Sequence, residues 1–350
     1  MFFTSDNAAG AAPEILAAVQ RAGRGYAWAY GDDEISRRVE ARVREVFEAP
    51  EARAFSVATG TAANSLALAC LCPPWGTVFC HDISHIEVDE CGAPEFFTGG
   101  AKLTLLDGDN ARMRAETVAA AIASGGHASV HNVQNGAVSI TQATELGSIY
   151  TVDEIRRIAA PAKARGLGVH MDGTRFANAL VRSGASPAEM SWRAGVDILC
   201  LGATKNGALA AETVILFNPD IAREFELRRK RGGHLFSKMR FVSAQADAYL
   251  TDGLWLRLAA HANAMADRLA AGIAAIDGAE VTNPVEANML FVTMRLDQHR
   301  RLQSAGAQYY PMNPAQDPEG PGEAPWDVRL VPSFQTTEAE VDRFLEVMAG

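Results

Sequence analysis

The chain has 350 residues, 48% of them hydrophobic and 21% charged. That balance excludes disorder and fibrous architecture, and the length calls for one large domain and a smaller one. Its 42 acidic and 32 basic side chains leave a formal charge of −10, a field that repels phosphate backbones and anionic lipid, so neither nucleic acid nor a membrane is expected as a partner. No stretch reaches the ~18 apolar residues of a membrane span. The opening MFFTSDNAAGAAPE also lacks the basic and then apolar form of a secretion signal. The five cysteines, Cys70, Cys72, Cys80, Cys91 and Cys200, are odd in number and lie in apolar surroundings. They read as reduced thiols without a metal, which places the chain in the cytoplasm.

In chain order, short apolar runs at 54–58, 77–80 and 138–140 read as strands. The helix signal Thr151-Val152-Asp153-Glu154 has the capping-box form and opens the periodic run Ile155, Ile158, Ala159, Ala162. A strand at 167–171 follows, then Ser186-Pro187-Ala188-Glu189 as a second helix start, then strands at 196–201 and 213–217. Most of these strands are apolar on both faces, as strands between two helical layers must be. The expected fold is therefore an α/β three-layer domain on a mostly parallel sheet. Beyond it, a long alanine-rich helix at 253–276, strands within 280–294 and 328–334, and a helix opened by Thr337-Glu338-Ala339-Glu340 make a smaller C-terminal α+β domain. The division is expected near residue 250, giving 1–250 and 251–350. Between the small-domain strands, prolines crowd the segment 311–325. Proline at that density removes amide donors, so the segment reads as an exposed loop, either a plain surface excursion or a lid.

Ligands of open α/β sheets collect outside the carboxyl ends of strands, and three such ends carry polar residues. At Ala58-Thr59-Gly60-Thr61 a strand turns into a helix whose free amides suit a phosphate, although a Gly-Thr turn alone is often only a cap. At 167–175 an apolar strand delivers Asp172 and then Arg175. A carboxylate there can hold a heteroaromatic nitrogen protonated. At 196–206 a buried strand runs directly into Lys205, where desolvation would free the amine as a nucleophile. Anion turn, acid and lysine together are what pyridoxal 5'-phosphate requires for its phosphate, ring nitrogen and aldehyde.

At these residues the chain resembles the low-specificity L-threonine aldolases, fold-type-I pyridoxal-phosphate enzymes, and among them the L-phenylserine aldolases. The likeness runs through Ser5-Asp6-Asn7, Tyr30-Gly31-Asp32-Asp33, FSVATGTAANSLAL, HIEVDECGAPEFF, SITQATELGSIYTVDEI, HMDGTRFANAL, GATKNG and RRKRGGHLFSKMRFVSAQ, nearly the whole chain. The resemblance implies that Lys205 joins the cofactor aldehyde, Asp172 pairs with the ring nitrogen, Gly60 and Thr61 hold the phosphate, and His85 lies on the ring. It implies that Ser5, Arg175 and Arg329 hold the substrate carboxylate, with Asp89 nearby, and that His131 contacts the substrate hydroxyl. Tyr30, Lys230 and Arg240 would approach the neighbouring subunit's site, so a homo-oligomer is implied, a dimer at least and commonly a tetramer.

The implied reaction is cleavage of L-threonine, L-allo-threonine and related β-hydroxy-α-amino acids, L-phenylserine included, to glycine and an aldehyde. His85, His131 or a water they position would take the β-hydroxyl proton, since histidine titrates near working pH. The alternative is a β-eliminating lyase of the same fold and lysine, which would release pyruvate from suitable substrates.

Overall fold

The computed structural model describes residues 1–125 and 129–350. Seven strands form the main sheet: β1 (Arg53–Val57), β2 (Gly76–His81), β3 (Lys102–Leu106), β4 (Gln134–Thr141), β5 (Gly168–Gly173), β6 (Ile198–Gly202) and β7 (Glu212–Leu216). Their order is β1-β7-β6-β5-β4-β2-β3, with β7 antiparallel to both neighbours and every other adjacent pair parallel. Every residue of β2, β6 and β7 is buried, the consequence of helices covering both faces. Six of the strands fall where apolar runs predicted them. The edge strand β3 was not among them, because Lys102 and Leu105 face solvent and break its apolar pattern.

The capping box at Thr151 is present, with Thr151 Oγ1 accepting from the Glu154 amide and Glu154 accepting from the Thr151 amide, and it opens the helix Val152–Lys163. The expected helix after Ser186 does not form. Its two cap bonds are made, Ser186 N to Glu189 Oε2 at 3.0 Å and Glu189 N to Ser186 Oγ at 3.2 Å. After one turn, however, Ser191 bonds back to the Pro187 carbonyl and the Trp192 indole donates to the Phe47 carbonyl at 2.8 Å. A local helix signal yields here to tertiary anchoring.

A second, antiparallel sheet holds β8 (Ala279–Val281), β9 (Leu290–Arg295), β10 (Tyr310–Pro311) and β11 (Pro325–Leu330) in the order β10-β11-β9-β8. The closing helix Glu338–Ala349 carries its predicted capping box. The helix Leu254–Ile273 serves two cores: Leu254, Trp255 and Ala259 pack into the large cluster, and Met265, Ala266, Leu269 and Ile273 into the small-domain cluster. Phe3 is also fully buried in that second cluster, so the N-terminal arm starts in the small domain and crosses to the large one. The proline-rich segment runs over the surface and is tied to the small-domain helix Leu296–Ser304 by Arg300, which donates to the Pro318 and Gly320 carbonyls.

Phe47 ties the large core together, its ring centroid 6.0 Å from Phe176, 5.9 Å from Phe217 and 6.5 Å from Trp255, with no exposed surface. Phe47→Ala is expected to cost about 3–5 kcal/mol, read as a lowered urea midpoint. A loss under about 1 kcal/mol would show that the site collapses onto the gap.

Candidate active site

Lys205 follows β6 in a single 3-10 turn, Thr204–Asn206, and both its neighbours are anchored. Asn206 donates to the Tyr249 hydroxyl and the Trp255 carbonyl, both at 2.9 Å, and Thr204 Oγ1 donates to Glu212 Oε1 at 2.6 Å. Gly202, just before the turn, has no room for a side chain: a Cβ would lie 2.6 Å from the Thr174 carbonyl oxygen. The sheet therefore delivers Lys205 on a rigid support. Burial, and then the nearby Arg175, depress its pKa, which favours the neutral, nucleophilic amine.

Lys205 opens into a cavity of about 240 Å³ walled by Thr59, Gly60, Thr61, Asn64, His85 and Glu212, among others. Thr59 caps the helix Gly60–Leu71 through Ala62, and the first-turn amides of Gly60 and Thr61 remain for an anion. Asp172 ends β5 almost completely buried, and two of its bonding partners, Asn64 and Thr174, line the cavity. It accepts from Asn64 Nδ2 at 2.9 Å, Thr174 N at 2.9 Å and Thr174 Oγ1 at 2.7 Å. Burial acts to raise its pKa, but the His85 charge, the two Thr174 bonds and His170 outweigh it and hold the carboxyl below the usual range.

His85 Nδ1 meets Glu90 Oε1 at 2.8 Å, and Asn64 donates to the same oxygen at 2.9 Å, so Asn64 bridges the Glu90 and Asp172 carboxylates. The Glu90 bond, partly opposed by burial, raises the His85 pKa. Asp89 lies 3.6 Å from His85 Nε2 and is mostly exposed. The His85 amide donates to Glu145, whose carboxyl burial pushes up to about 7.

On the other side the N-terminal arm crosses the site. Ser5 caps a short turn, Asp6–Ala8, from which Asn7 lines the cavity. Asp6 accepts both forks of Arg175, at 2.8 and 2.9 Å, and a bond from Asn288 at 3.1 Å. Arg175 is thus committed to Asp6, while Arg329, on β11, has a buried Nε with no partner among the described residues. Arg175 and Asp6 are close enough to shift the Arg329 pKa, so an unmet donor lies beside the arm.

The chain does not bring every expected residue here. His131 is exposed in the turn before β4, its amide bonded to Ser129 Oγ, and it does not line the cavity. Tyr30 and Lys230 pair in a separate cleft of about 530 Å³, the Lys230 Nζ 4.8 Å from the Tyr30 ring. Arg240 reaches the Gly25 carbonyl at 3.5 Å. Asn64, Glu90, Glu145 and Glu212, absent from the sequence reading, are part of the site or its support. Of these only Glu212 left a sequence signal, a lone acid heading the apolar run AETVILF.

A sheet of this order, with a desolvated lysine after β6 and a buried acid at the end of β5, is the fold-type-I arrangement. Residues 3–296 match the family described as β-eliminating lyase. The chain is 43% identical over 308 residues to the low-specificity L-threonine aldolase of Pseudomonas sp. (strain NCIMB 10558), covering 88% of each chain. Its fold matches the threonine aldolase of Leishmania major with a TM-score of 0.91 and 29% identity over 99% of this chain and 98% of that one. A serine palmitoyltransferase of S. paucimobilis with bound pyridoxal phosphate shares the fold, at a TM-score of 0.68 and 16% identity over 100% of this chain and 86% of that one. The chain belongs to the β-eliminating lyase family, within the low-specificity L-threonine aldolases.

Proposed function

We propose that the protein is a pyridoxal-phosphate-dependent aldolase that cleaves L-threonine, L-allo-threonine and related β-hydroxy-α-amino acids to glycine and an aldehyde. The observation that carries this reading is the convergence of a neutral-leaning Lys205 amine, an ionised Asp172 and the open amides at Gly60 and Thr61 on one cavity. These residues fit the cofactor: Lys205 for its aldehyde, Asp172 for its ring nitrogen, Gly60 and Thr61 for its phosphate, and His85 for its ring face. The unpartnered Arg329 Nε suits the substrate carboxylate.

When bound, the cofactor supplies the electron sink for the carbon-carbon bond that breaks. Asp172, kept ionised, holds a positive nitrogen in place. Glu90 fixes the His85 ring through Nδ1 and leaves Nε2 to exchange the hydroxyl proton, directly or through a water. Arg329 orients the carboxylate, with Ser5 and Arg175 completing that wall through Asp6.

We also propose a homo-oligomer, a dimer at least and a tetramer in full, in which Tyr30, Lys230 and Arg240 face a neighbouring site. Tyr26 and Trp28 on the adjoining segment are almost fully exposed, 108% and 80%, the cost of which a partner surface would remove. The five free cysteines support a reducing, cytoplasmic setting. Among the described residues no helix is long and apolar enough to cross a membrane.

The test is release of glycine and aldehyde from L-threonine, L-allo-threonine and L-threo-phenylserine, the first two favoured over the third. The family description gives a second reading, β-elimination, its mark. Pyruvate from tyrosine or tryptophan, without glycine from threonine, would replace the aldolase by that reading.

A further inference from the structure

Glu212 has no part in the reaction just described, yet it lines the same cavity. It opens β7, where the sheet register sets it beside Val57 of β1 and Gly202 of β6. Only 6% of its surface is exposed, and among the described residues it forms no ion pair. Thr204 Oγ1 donates to its Oε1, and the Ala203 amide also acts on its carboxyl. The charged and titratable groups that face it are Lys205, Asp172, Cys200 and Tyr249. Val57, Gly202 and the first turn of the helix Gly60–Leu71 bring no charge. Thr59, Gly60 and Thr61 of the anion-seeking turn line the same cavity as Glu212. A carboxylate and a phosphate dianion in one desolvated space repel, whereas a carboxyl can donate its proton to a phosphate oxygen.

We propose that Glu212 holds the cofactor phosphate as a neutral carboxyl, its O–H donated to a phosphate oxygen, so that cofactor loading takes up one proton from solvent. This rests on the pyridoxal-phosphate reading above. Burial already pushes the carboxyl up to about 7, with the Thr204 bond, Lys205 and the Ala203 amide acting the other way and Asp172 reinforcing it. The sign follows by linkage. Below that value the free protein carries the proton, and loading changes nothing. Above it each further pH unit makes the carboxyl ten times harder to protonate, so apparent phosphate affinity falls about tenfold per unit. The second ionisation of the phosphate, near about 6, is complete before this window opens.

The experiment titrates the full chain, freed of cofactor, with pyridoxal phosphate and with pyridoxal from about pH 6 to about pH 9. Pyridoxal lacks the phosphate, so the ratio of the two dissociation constants cancels the titration of Lys205. The ratio should be level up to about 7 and then lose about tenfold per unit in the wild type. In Glu212→Gln, an amide that keeps a donor and cannot ionise, it should stay at its low-pH value throughout. A wild-type ratio constant to about pH 9, or an identical slope in Glu212→Gln, overturns the proposal. Should Glu212→Gln not fold, proton uptake by the wild type, measured calorimetrically at about pH 8 in two buffers of different ionisation enthalpy, decides: about one proton for pyridoxal phosphate beyond that for pyridoxal supports it, none overturns it. If neither compound binds, the cofactor reading fails and takes this inference with it, an outcome distinct from binding with a flat ratio.

Discussion

Lys205→Ala is expected to fold normally, show no lysine-bound pyridoxal-phosphate absorbance once unbound cofactor is removed, and release glycine from L-threonine at least about a thousandfold more slowly than the wild type. The fold survives because the turn is held by its neighbours. Asn206 is bonded to Tyr249 and Trp255, Thr204 to Glu212, and the Ala12 amide to the Gly207 carbonyl at 2.8 Å. Lys205 itself is the group that burial penalises, so its removal should leave the urea midpoint level or slightly raised. Chemistry is lost because no other lysine lines this cavity among the described residues. Measured together, the spectrum, the midpoint and glycine release separate a lost nucleophile from a lost fold. Retained colour, or a rate within about tenfold of wild type, would remove Lys205 from its assigned role.

The residues that could be read from sequence are those whose chemistry depends on their own strand. Asp172 and Lys205 stand out because each ends an apolar run of β5 or β6, and burial of those strands is written in their composition. The groups that escaped notice are held by partners far along the chain. Asn64 reaches Glu90, 26 residues away, and Asp172, 108 residues away, while Arg175 is taken by Asp6 at a separation of 169. No local pattern encodes such a contact, and Arg175 in particular reads as free for a carboxylate until the arm is seen lying over it. The same reason explains the missing helix after Ser186, where a correct local cap loses to the Trp192 bond with Phe47. Tyr30 and Lys230 line a different cleft from Lys205, and Arg240 lines neither of the two.

Asp172→Asn is expected to lower kcat/KM by about a hundredfold or more, about 2.7 kcal/mol of lost transition-state stabilisation, while the protein still binds the cofactor. The amide has nearly the shape of the carboxyl but not its charge, so a ring nitrogen facing it would not be held positive. Thr174 N and Oγ1 both donate to Oδ1, which fixes the amide oxygen on that side and turns its NH2 toward Asn64. Asn64 can answer by presenting Oδ1, now buried without a partner, but only by giving up its donation to Glu90 and loosening the support of His85. A stability cost of about 1–3 kcal/mol should follow. Its pH dependence has a definite sign: a carboxyl held below its ordinary range stabilises the fold above the unfolded value and loses that contribution as pH falls through its folded one. The gap in urea stability between wild type and Asp172→Asn should therefore be full at neutral pH and close progressively in acid, below about pH 4. A gap that is constant or widens in acid would mean Asp172 is not kept ionised by its neighbours, and an unchanged kcat/KM would mean that its charge does not face the reacting ring.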